Sequence, residues 1–339
     1  DLSGAHLSYG DFKDATFMGA GAIKLDGAGL ANADLSGSKI AADAITSFSY
    51  AGQGAALIDF AGANLTNADL REAELTATGT GRYGSSAIDF TEATLANADL
   101  SGSKINAEAS IDGDAIIDLT GANLANADLS GSKLTAKTTG SGNSYWGAGD
   151  ALIDFTEANL ANADLSGSTL KAQGDSYVAS IIDFTEADLT NAVFTEADLT
   201  ADGGKGADID FTEADLANAD LSGSEITATG GWYGDATIDF TEADLPNADL
   251  SGSKITANGG VYGDATIDFT AADLTNARLS GSKITANGPS VLYAYIGDLD
   301  FGDGVATIDF TDADLANADL SGSELTADTI VGQPPSTTD

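Results

Sequence analysis

The stretch of residues 238–255, IDFTEADLPNADLSGSKI, carries large apolar residues five positions apart: Phe240, Leu245, Leu250 and Ile255. An amphipathic helix repeats about every 3.6 residues and a strand every two, so neither element alone produces this spacing. We call these positions the first, second, third and fourth anchors. Four anchors followed by a break in the pattern indicate one four-sided turn, or coil, of a solenoid.

The same group of four anchors recurs along nearly the whole chain of 339 residues. Successive groups begin 23 to 41 residues apart, most often 29, and a self-similar period of this length is typical of stacked repeat architectures. The sequence therefore predicts eleven coils. Their first anchors are Leu2, Leu25, Phe60, Phe90, Leu119, Phe155, Phe184, Phe211, Phe240, Phe269 and Phe310.

The repeating unit A-[DN]-L-x-x resembles the pentapeptide-repeat family. The longer string ANADLSGS begins at Ala31, Ala96, Ala125, Ala161, Ala217 and Ala316. The resemblance implies a right-handed quadrilateral β-helix in which each anchor and the residue two before it point inward. Small residues such as Ala243, Ala248 and Ser253 occupy the second of these positions, as tight corners require. We therefore expect an all-β solenoid as a single domain over residues 1–328, and a tail or linker over residues 329–339.

Inserts rich in Gly and aromatic residues lie between each fourth anchor and the next first anchor, so we expect them along one edge of the solenoid. Tyr83, Tyr177, Tyr233 and Tyr262 each precede the next first anchor by seven residues, which predicts a ladder of stacked rings. The favoured interpretation is that these rings cap a widened core. The alternative makes the edge a partner interface, with Trp146, Trp232, Tyr233 and Tyr262 as its contact residues.

The composition is strongly acidic, with 53 Asp and Glu against 13 Lys and Arg and a formal net charge of -40. Direct binding to nucleic acid or anionic lipid depends on clustered basic residues, so this charge argues against both. We expect the partners to be cations, cationic surfaces or other copies of the chain. With no Cys and only His6, thiolate and His-rich metal sites are excluded. No apolar run is long enough to span a membrane.

Stacked coils turn each repeated polar residue into a column. An Asn column is interpreted as structural, through turns and amide ladders. An Asp column before the first anchors and a second one before the third anchors are favoured as turn-forming residues, with calcium ligation as the alternative. Lys39, Lys104, Lys133, Lys254 and Lys283 stand just before fourth anchors and leave one side of the rod less acidic.

One local sequence is a candidate metal loop, because Asp298, Asp300 and Asp303 alternate with glycines nearby. It lacks the bidentate Glu and the spacing of an EF-hand, so calcium is a candidate ion on a weak pattern. Catalysis finds no support. Carboxylate pairs recur with every coil, whereas an active site is a single constellation, and no nucleophile elbow or phosphate loop is present.

The two ends of the predicted solenoid carry ordinary apolar anchors and no evident cap. We therefore expect the terminal coils to meet head to tail in a filament, through Leu2, Leu7, Phe12 and Phe17 on one coil and Phe310, Leu315, Leu320 and Leu325 on the other. The chain starts at Asp1 and not at Met, which is expected of a processed product or of a segment of a longer protein.

These observations favour a non-enzymatic structural protein, extracellular or at the cell surface, that assembles with itself into a filament or coat. Two alternatives remain open at this stage. One is an acidic inhibitor of a topoisomerase that imitates DNA, as some pentapeptide-repeat proteins do. The other is a monomeric calcium-dependent adhesin segment.

Overall fold

A computed structural model describes residues 1–44, 54–81, 83–110, 112–139, 149–175, 177–288 and 304–331, with the side chains of 329–331 left aside. Its β-strands form two parallel sheets of 11 strands each. The odd sheet contains β1 Thr16–Ala20, β3 Lys39–Asp43, β5 Glu74–Thr78, β7 Lys104–Ala109, β9 Lys133–Thr138, β11 Thr169–Gln173, β13 Asp198–Gly203, β15 Glu225–Gly230, β17 Lys254–Asn258, β19 Lys283–Asn287 and β21 Glu324–Thr326. The even sheet contains β2 Ala22–Lys24, β4 Ala56–Asp59, β6 Ser86–Asp89, β8 Ala115–Asp118, β10 Ala151–Asp154, β12 Ala179–Asp183, β14 Gly206–Asp210, β16 Asp235–Asp239, β18 Ala265–Asp268, β20 Ala306–Asp309 and β22 Thr329–Val331.

Every strand pairs with the equivalent strand of the next coil, so repeated residues lie beside one another. In the odd sheet Ile255 pairs with Ile284, and in the even sheet Ile238 pairs with Ile267. The sides of the coil that carry the second and third anchors are joined by single-residue parallel bridges, such as Asp244 with Asp273 and Asp220 with Asp249. The all-β solenoid expected from the five-residue spacing is confirmed.

The core is a set of side-chain columns that run along the solenoid. First-anchor rings stack nearly parallel, with centroids 4.8 Å apart between Phe211 and Phe240 and again between Phe240 and Phe269. This distance equals the spacing of hydrogen-bonded strands, so the rings and the backbone repeat at the same distance from coil to coil. Ala243 and Ala248, each two residues before an anchor, are fully buried. The predicted inward positions are therefore the core.

The inserts contain more β-structure than loops along one edge would have. After Ile255 the strand β17 continues to Asn258, and β18 begins at Ala265, so much of the insert extends the two sheets. Ala257 and Ala265 point inward and are fully buried. The two sheets therefore pack face to face, and this is the physical form of the widened core. Their opposite faces point outward.

Short glycine-rich turns join the two sheets at the insert edge, and their backbones lie directly on one another. A Cβ added at Gly260 would stand 1.5 Å from the carbonyl oxygen of Gly231, and one at Gly263 would stand 2.0 Å from that of Gly234. The N–H of Gly260 donates to the carbonyl of Gly234 at 2.9 Å. Glycine is required at these positions because no side chain fits between the stacked turns.

The solenoid continues past the boundary expected at residue 328. Thr329–Val331 forms β22 and pairs in parallel with β20, Ile330 opposite Ile308. The backbone of the last coil therefore adds one more rung to the even sheet, so residues 329–331 are strand and not tail. The rest of the expected tail, residues 332–339, lies outside the described part of the chain.

We predict that Phe240→Ala lowers the free energy of unfolding by about 3–5 kcal/mol, because it removes a buried ring from the stack and leaves a cavity. Phe240→Leu is the matched control, since Leu119 fills the same position in another coil. The Leu variant should lose clearly less stability in chemical denaturation. Equal losses for the two variants would contradict a packing role.

Candidate interaction surfaces

The repeated aspartates close the corners of the coil. The Oδ1 atom of Asp239, before a first anchor, accepts the N–H of Thr241 at 2.8 Å, and that of Asp249, before a third anchor, accepts the N–H of Ser251 at 2.9 Å. The same bond recurs at Asp59, Asp89, Asp118, Asp154, Asp183, Asp210, Asp268 and Asp309, and at Asp34, Asp69, Asp99, Asp128, Asp164, Asp220 and Asp319. The turn-forming interpretation of both columns is confirmed.

The Asn column serves the turn backbone in a different way. Asn218, Asn247 and Asn276 have φ values of 58°, 60° and 58°, in the left-handed region that Asn tolerates better than most residues. Amide groups of successive coils also bond along the rod, as from Asn317 Nδ2 to Asn276 Oδ1 at 3.2 Å. The column is therefore structural.

A further Asp column was not recognised in the sequence. The Oδ1 atom of Asp235 accepts the N–H of Asp264 at 2.8 Å, and Asp264 in turn accepts the N–H of Val305 at 2.7 Å. Asp114 and Asp150 form the same link at 3.0 Å in other coils. These residues stand five positions before a first anchor. That fixed offset within the irregular inserts was the available signal.

Carboxylates on different sides of the coil differ in pKa according to burial and neighbours. Burial raises the pKa of Asp208, and the nearby charges of Asp210, Asp235 and Asp239 raise it further. Burial also raises the pKa of Asp239 itself. The opposite holds at Asp34, whose pKa is lowered by hydrogen bonds from the hydroxyl and N–H groups of Ser36. Burial is therefore the first cause of the raised pKa of Asp208, and acidic neighbours add to it.

A calcium site is not apparent where the chain is described. Within those residues, no three His, Asp or Glu side chains gather in a group suited to a metal ion. Asp298, Asp300 and Asp303, the candidate loop, lie outside the described residues. Calcium binding stays a candidate from the sequence alone.

Several lysines before fourth anchors form ion pairs along the odd sheet. Lys39 Nζ lies 3.8 Å from a carboxylate oxygen of Glu74, and Lys283 Nζ lies 3.7 Å from one of Glu324. Lys254 pairs likewise with Glu225 of the preceding coil. These side chains are about half exposed, so each pair contributes little to stability.

The aromatic residues of the insert edge lie on the surface. Trp232 and Tyr233 are 59% and 63% exposed. The ring of Tyr233 stacks on Tyr262 of the next coil at 5.2 Å, and Trp232 meets the same ring at 6.3 Å in a tilted arrangement. Exposure of this degree contradicts the favoured interpretation that the rings cap the core. Trp146 lies outside the described residues.

The predicted ladder of rings has gaps. Tyr177 and Tyr233 lie two coils apart, and the intervening turn, residues 202–206, reads DGGKG without an aromatic residue. The fixed offset of seven residues therefore produces local pairs such as Tyr233 with Tyr262.

The outermost coils present their anchors partly open to solvent. Leu2 is 38% exposed, and Leu7, Phe12 and Phe17 pack against the core while remaining partly accessible. At the other end Phe310 is 2% exposed, whereas Leu315, Leu320 and Leu325 are partly accessible. Seven of the eight anchors expected at these end faces therefore retain apolar surface, and Phe310 is covered.

No helix among the described residues is long and apolar enough to cross a membrane. Residues 58–78, 117–136, 153–171 and 182–201 match the family model described as pentapeptide repeats, which finds eight copies. The chain belongs to the pentapeptide-repeat family. No curated protein sequence matches it.

Solved structures that match this chain include HetL, a pentapeptide-repeat protein involved in heterocyst differentiation regulation from the cyanobacterium Nostoc sp. strain PCC 7120. It is 22% identical, with 91% of this chain and 87% of that chain covered and a TM-score of 0.29. QnrB1, a plasmid-mediated fluoroquinolone resistance protein, is 14% identical, with coverages of 92% and 93% and a TM-score of 0.26. The periplasmic alginate epimerase AlgG is 12% identical, with coverages of 92% and 77% and a TM-score of 0.34. Pentapeptide-repeat proteins are usually non-enzymatic, although these structural neighbours include an enzyme.

We predict that Asp208→Thr raises the melting temperature at about pH 7 by ~1–2 °C, because it removes a half-buried charge from a crowded acidic group. Thr237 occupies the same register position in the next coil, so the fold accepts Thr there. The raised pKa makes ionised Asp208 a penalty that grows as pH rises from the unfolded value of about 3.9 through the folded value. The gain should therefore vanish below about pH 3.9.

The control for this change is Asp202→Thr on the odd sheet, where Thr229 is the register partner and the net charge changes equally. Thermal unfolding across pH compares the two variants. A gain for Asp208→Thr that does not depend on pH would contradict the electrostatic cause.

We also predict that Trp232→Ala with Tyr233→Ala leaves the solenoid folded, because both rings are mainly exposed. The loss of ring contacts should cost about 1–2 kcal/mol. Far-UV circular dichroism should be unchanged and thermal unfolding slightly earlier. Loss of the β-sheet signal would place these rings in the core after all.

Proposed function

We propose that this chain is a non-enzymatic structural protein whose solenoids stack end to end into a filament or coat. The observation that carries the proposal is the partly open apolar face of each outermost coil. Burying such surface is favourable at about 25 cal/mol per Å². A second copy supplies a surface of the same repeat geometry.

Backbone hydrogen bonding favours the same arrangement. Between coils, N–H groups at and two residues after each anchor donate to the next coil, as Leu245 does to Asp273 and Asn247 to Thr275. The last coil presents the corresponding N–H groups at Leu315, Asn317, Leu320 and Gly322, whereas the side that carries Phe310 already has β22 beside it. The first coil presents the corresponding carbonyls at His6, Ser8, Asp11 and Lys13. Stacking would pair these two sets.

The direction of stacking follows from this pattern. The two end faces complement each other, whereas neither has the hydrogen-bond pattern to complement itself. Contacts between unlike faces of identical subunits do not close on themselves, so they propagate as a filament. Head-to-tail growth is therefore the form of assembly we propose, with an extracellular or cell-surface location as the setting that suits a structural filament.

The test is replacement of Leu7 by Asp, which places a charge on the apolar end face. Electron microscopy and sedimentation of the unaltered chain should show filaments that grow with concentration, and Leu7→Asp should abolish them. Tyr9→Asp is the matched control, because it adds the same charge to the same coil at a residue that is 79% exposed.

A monodisperse monomer of the unaltered chain at high concentration would overturn the filament proposal. Assaying that monomer for inhibition of DNA supercoiling and for calcium-dependent surface binding would then separate the topoisomerase inhibitor from the adhesin.

A further inference from the structure

A cluster of lysines lies on the outward face of the odd sheet, within an otherwise acidic molecule. Lys104 and Lys133 are register partners on β7 and β9, Lys137 lies further along β9, and Lys171 follows on β11. Lys104 and Lys133 are exposed, and Lys137 and Lys171 are partly exposed. Glu74 stands beside Lys104 and Glu108 beside Lys137 in the sheet register, yet within the described part of the chain none of the four lysines forms an ion pair. We call them the lysine cluster.

The outward face of the even sheet carries an apolar column in neighbouring coils. Its members are register partners on successive strands and are all partly exposed: Leu57, Ala87, Ile116, Leu152 and Ile181. We call them the apolar stripe. Asp118 and Asp154 stand two residues after stripe members, and Asp114 and Asp150 stand two residues before them. Carboxylates therefore flank the stripe on both sides.

The two features occupy the same coils. Ile116, Leu152 and Ile181 follow the lysine-bearing strands β7, β9 and β11 within single coils. Further along the even sheet the stripe ends, because the column continues as Asp208, Thr237, Thr266 and Thr307. Other lysines of the odd sheet, at Lys254 and Lys283, already pair with glutamates. Unpaired lysines and apolar surface therefore coincide along the rod.

We propose that the lysine cluster of one copy docks on the apolar stripe of a second copy, so that rods associate side by side. The two features lie on different sheets of the rod, so a copy that offers its lysine cluster to one neighbour keeps its apolar stripe free for another. The partner follows from charge complementarity, because this chain itself supplies the acid-flanked apolar surface that a lysine array fits.

The chemistry of the contact uses both parts of the lysine side chain. The aliphatic stems cover the partly exposed Ile and Leu residues, while the ammonium groups reach the flanking carboxylates. The coils of both rods have the same spacing, so the same lysine–carboxylate contact can form at successive coils. The net charge of -40 opposes approach of two rods. Salt at about 0.15 M screens that repulsion beyond about 8 Å and leaves the short contacts in place.

Lateral docking is a second mode of association, separate from end-to-end stacking. Each rod keeps one free face of each kind, so the contact is again between unlike surfaces and does not close. Axial growth lengthens the assembly, whereas lateral growth widens it.

The experiment uses the full chain carrying Leu7→Asp, in which axial stacking is expected to be blocked, with a chelator present and about 0.15 M salt. Two double variants test the two surfaces. Lys104→Glu with Lys133→Glu reverses the charge at positions where other coils have Glu74 and Glu225. Ile116→Thr with Leu152→Thr removes the stripe at positions where other coils have Thr237 and Thr266. Both changes are therefore compatible with the coil.

Sedimentation equilibrium should show association of the Leu7→Asp chain that each double variant weakens by about tenfold or more, as losses at the centre of an interface do. Lys13→Glu with Lys205→Glu is the control, because it makes the same change in net charge on exposed residues away from both surfaces. It should associate like the parent.

Three results would overturn the proposal: a monomeric parent, equal association of all variants, or weakening by the lysine variant alone. Should Leu7→Asp fail to fold, the same double variants in the otherwise unaltered chain are compared by small-angle scattering. Their rods should then have the cross-section of a single solenoid, and the control a larger one. Cross-sections equal to that of the control would overturn the lateral contact, whatever the length of the filaments.

Discussion

Each residue of this solenoid must be able to stack on its own copy one strand spacing away. Backbone hydrogen bonds fix the rise between coils, and the rings of Phe211, Phe240 and Phe269 repeat at 4.8 Å in consequence. The inward positions are therefore occupied by side chains that pack well against identical side chains. Glycine is found where the backbones of successive coils touch. Inward residues far apart in sequence, such as Ile238 and Ile267, are similar because they are neighbours in space.

The same constraint explains how an acidic molecule tolerates columns of carboxylates. An isolated ladder of Asp at this spacing would repel itself by somewhat less than about 1 kcal/mol per pair in water. Here one oxygen of each corner Asp accepts a backbone N–H, as Asp239 does from Thr241, so each repulsive charge also closes a turn. Where burial and three acidic neighbours coincide, at Asp208, the raised pKa records the remaining cost.

The sequence predicted the coils well because the anchors report packing directly: Leu245 and Ala243 are buried at the positions the five-residue spacing requires. It predicted the inserts poorly. Ala257 and Ala265 belong to the core, yet they lie where the five-residue period stops, so their alternation over a few residues was too short to recognise. Tyr233 and Tyr262 were favoured as core caps because their fixed offset from the next first anchor indicated a ladder of stacked rings. The tight stacking of Gly231 and Gly260 leaves no interior space for rings and places them outside.

Repetition also limits what individual residues can reveal about function. A ligand site occurs once in a chain, whereas a column repeats in every coil. Residues that depart from the repeat are therefore more informative about function than residues that follow it. The change from Ile181 to Asp208 in one outward column is such a departure, because stacking would accept either residue. Lys133 is another, since its register neighbours are Lys104 and Thr169, whereas elsewhere in the column Lys254 pairs with Glu225. Neither difference is needed to form a coil. The side-by-side contact proposed above would account for surface residues that vary together while the core repeats unchanged, and the even spacing of the coils would let that contact recur along the rod.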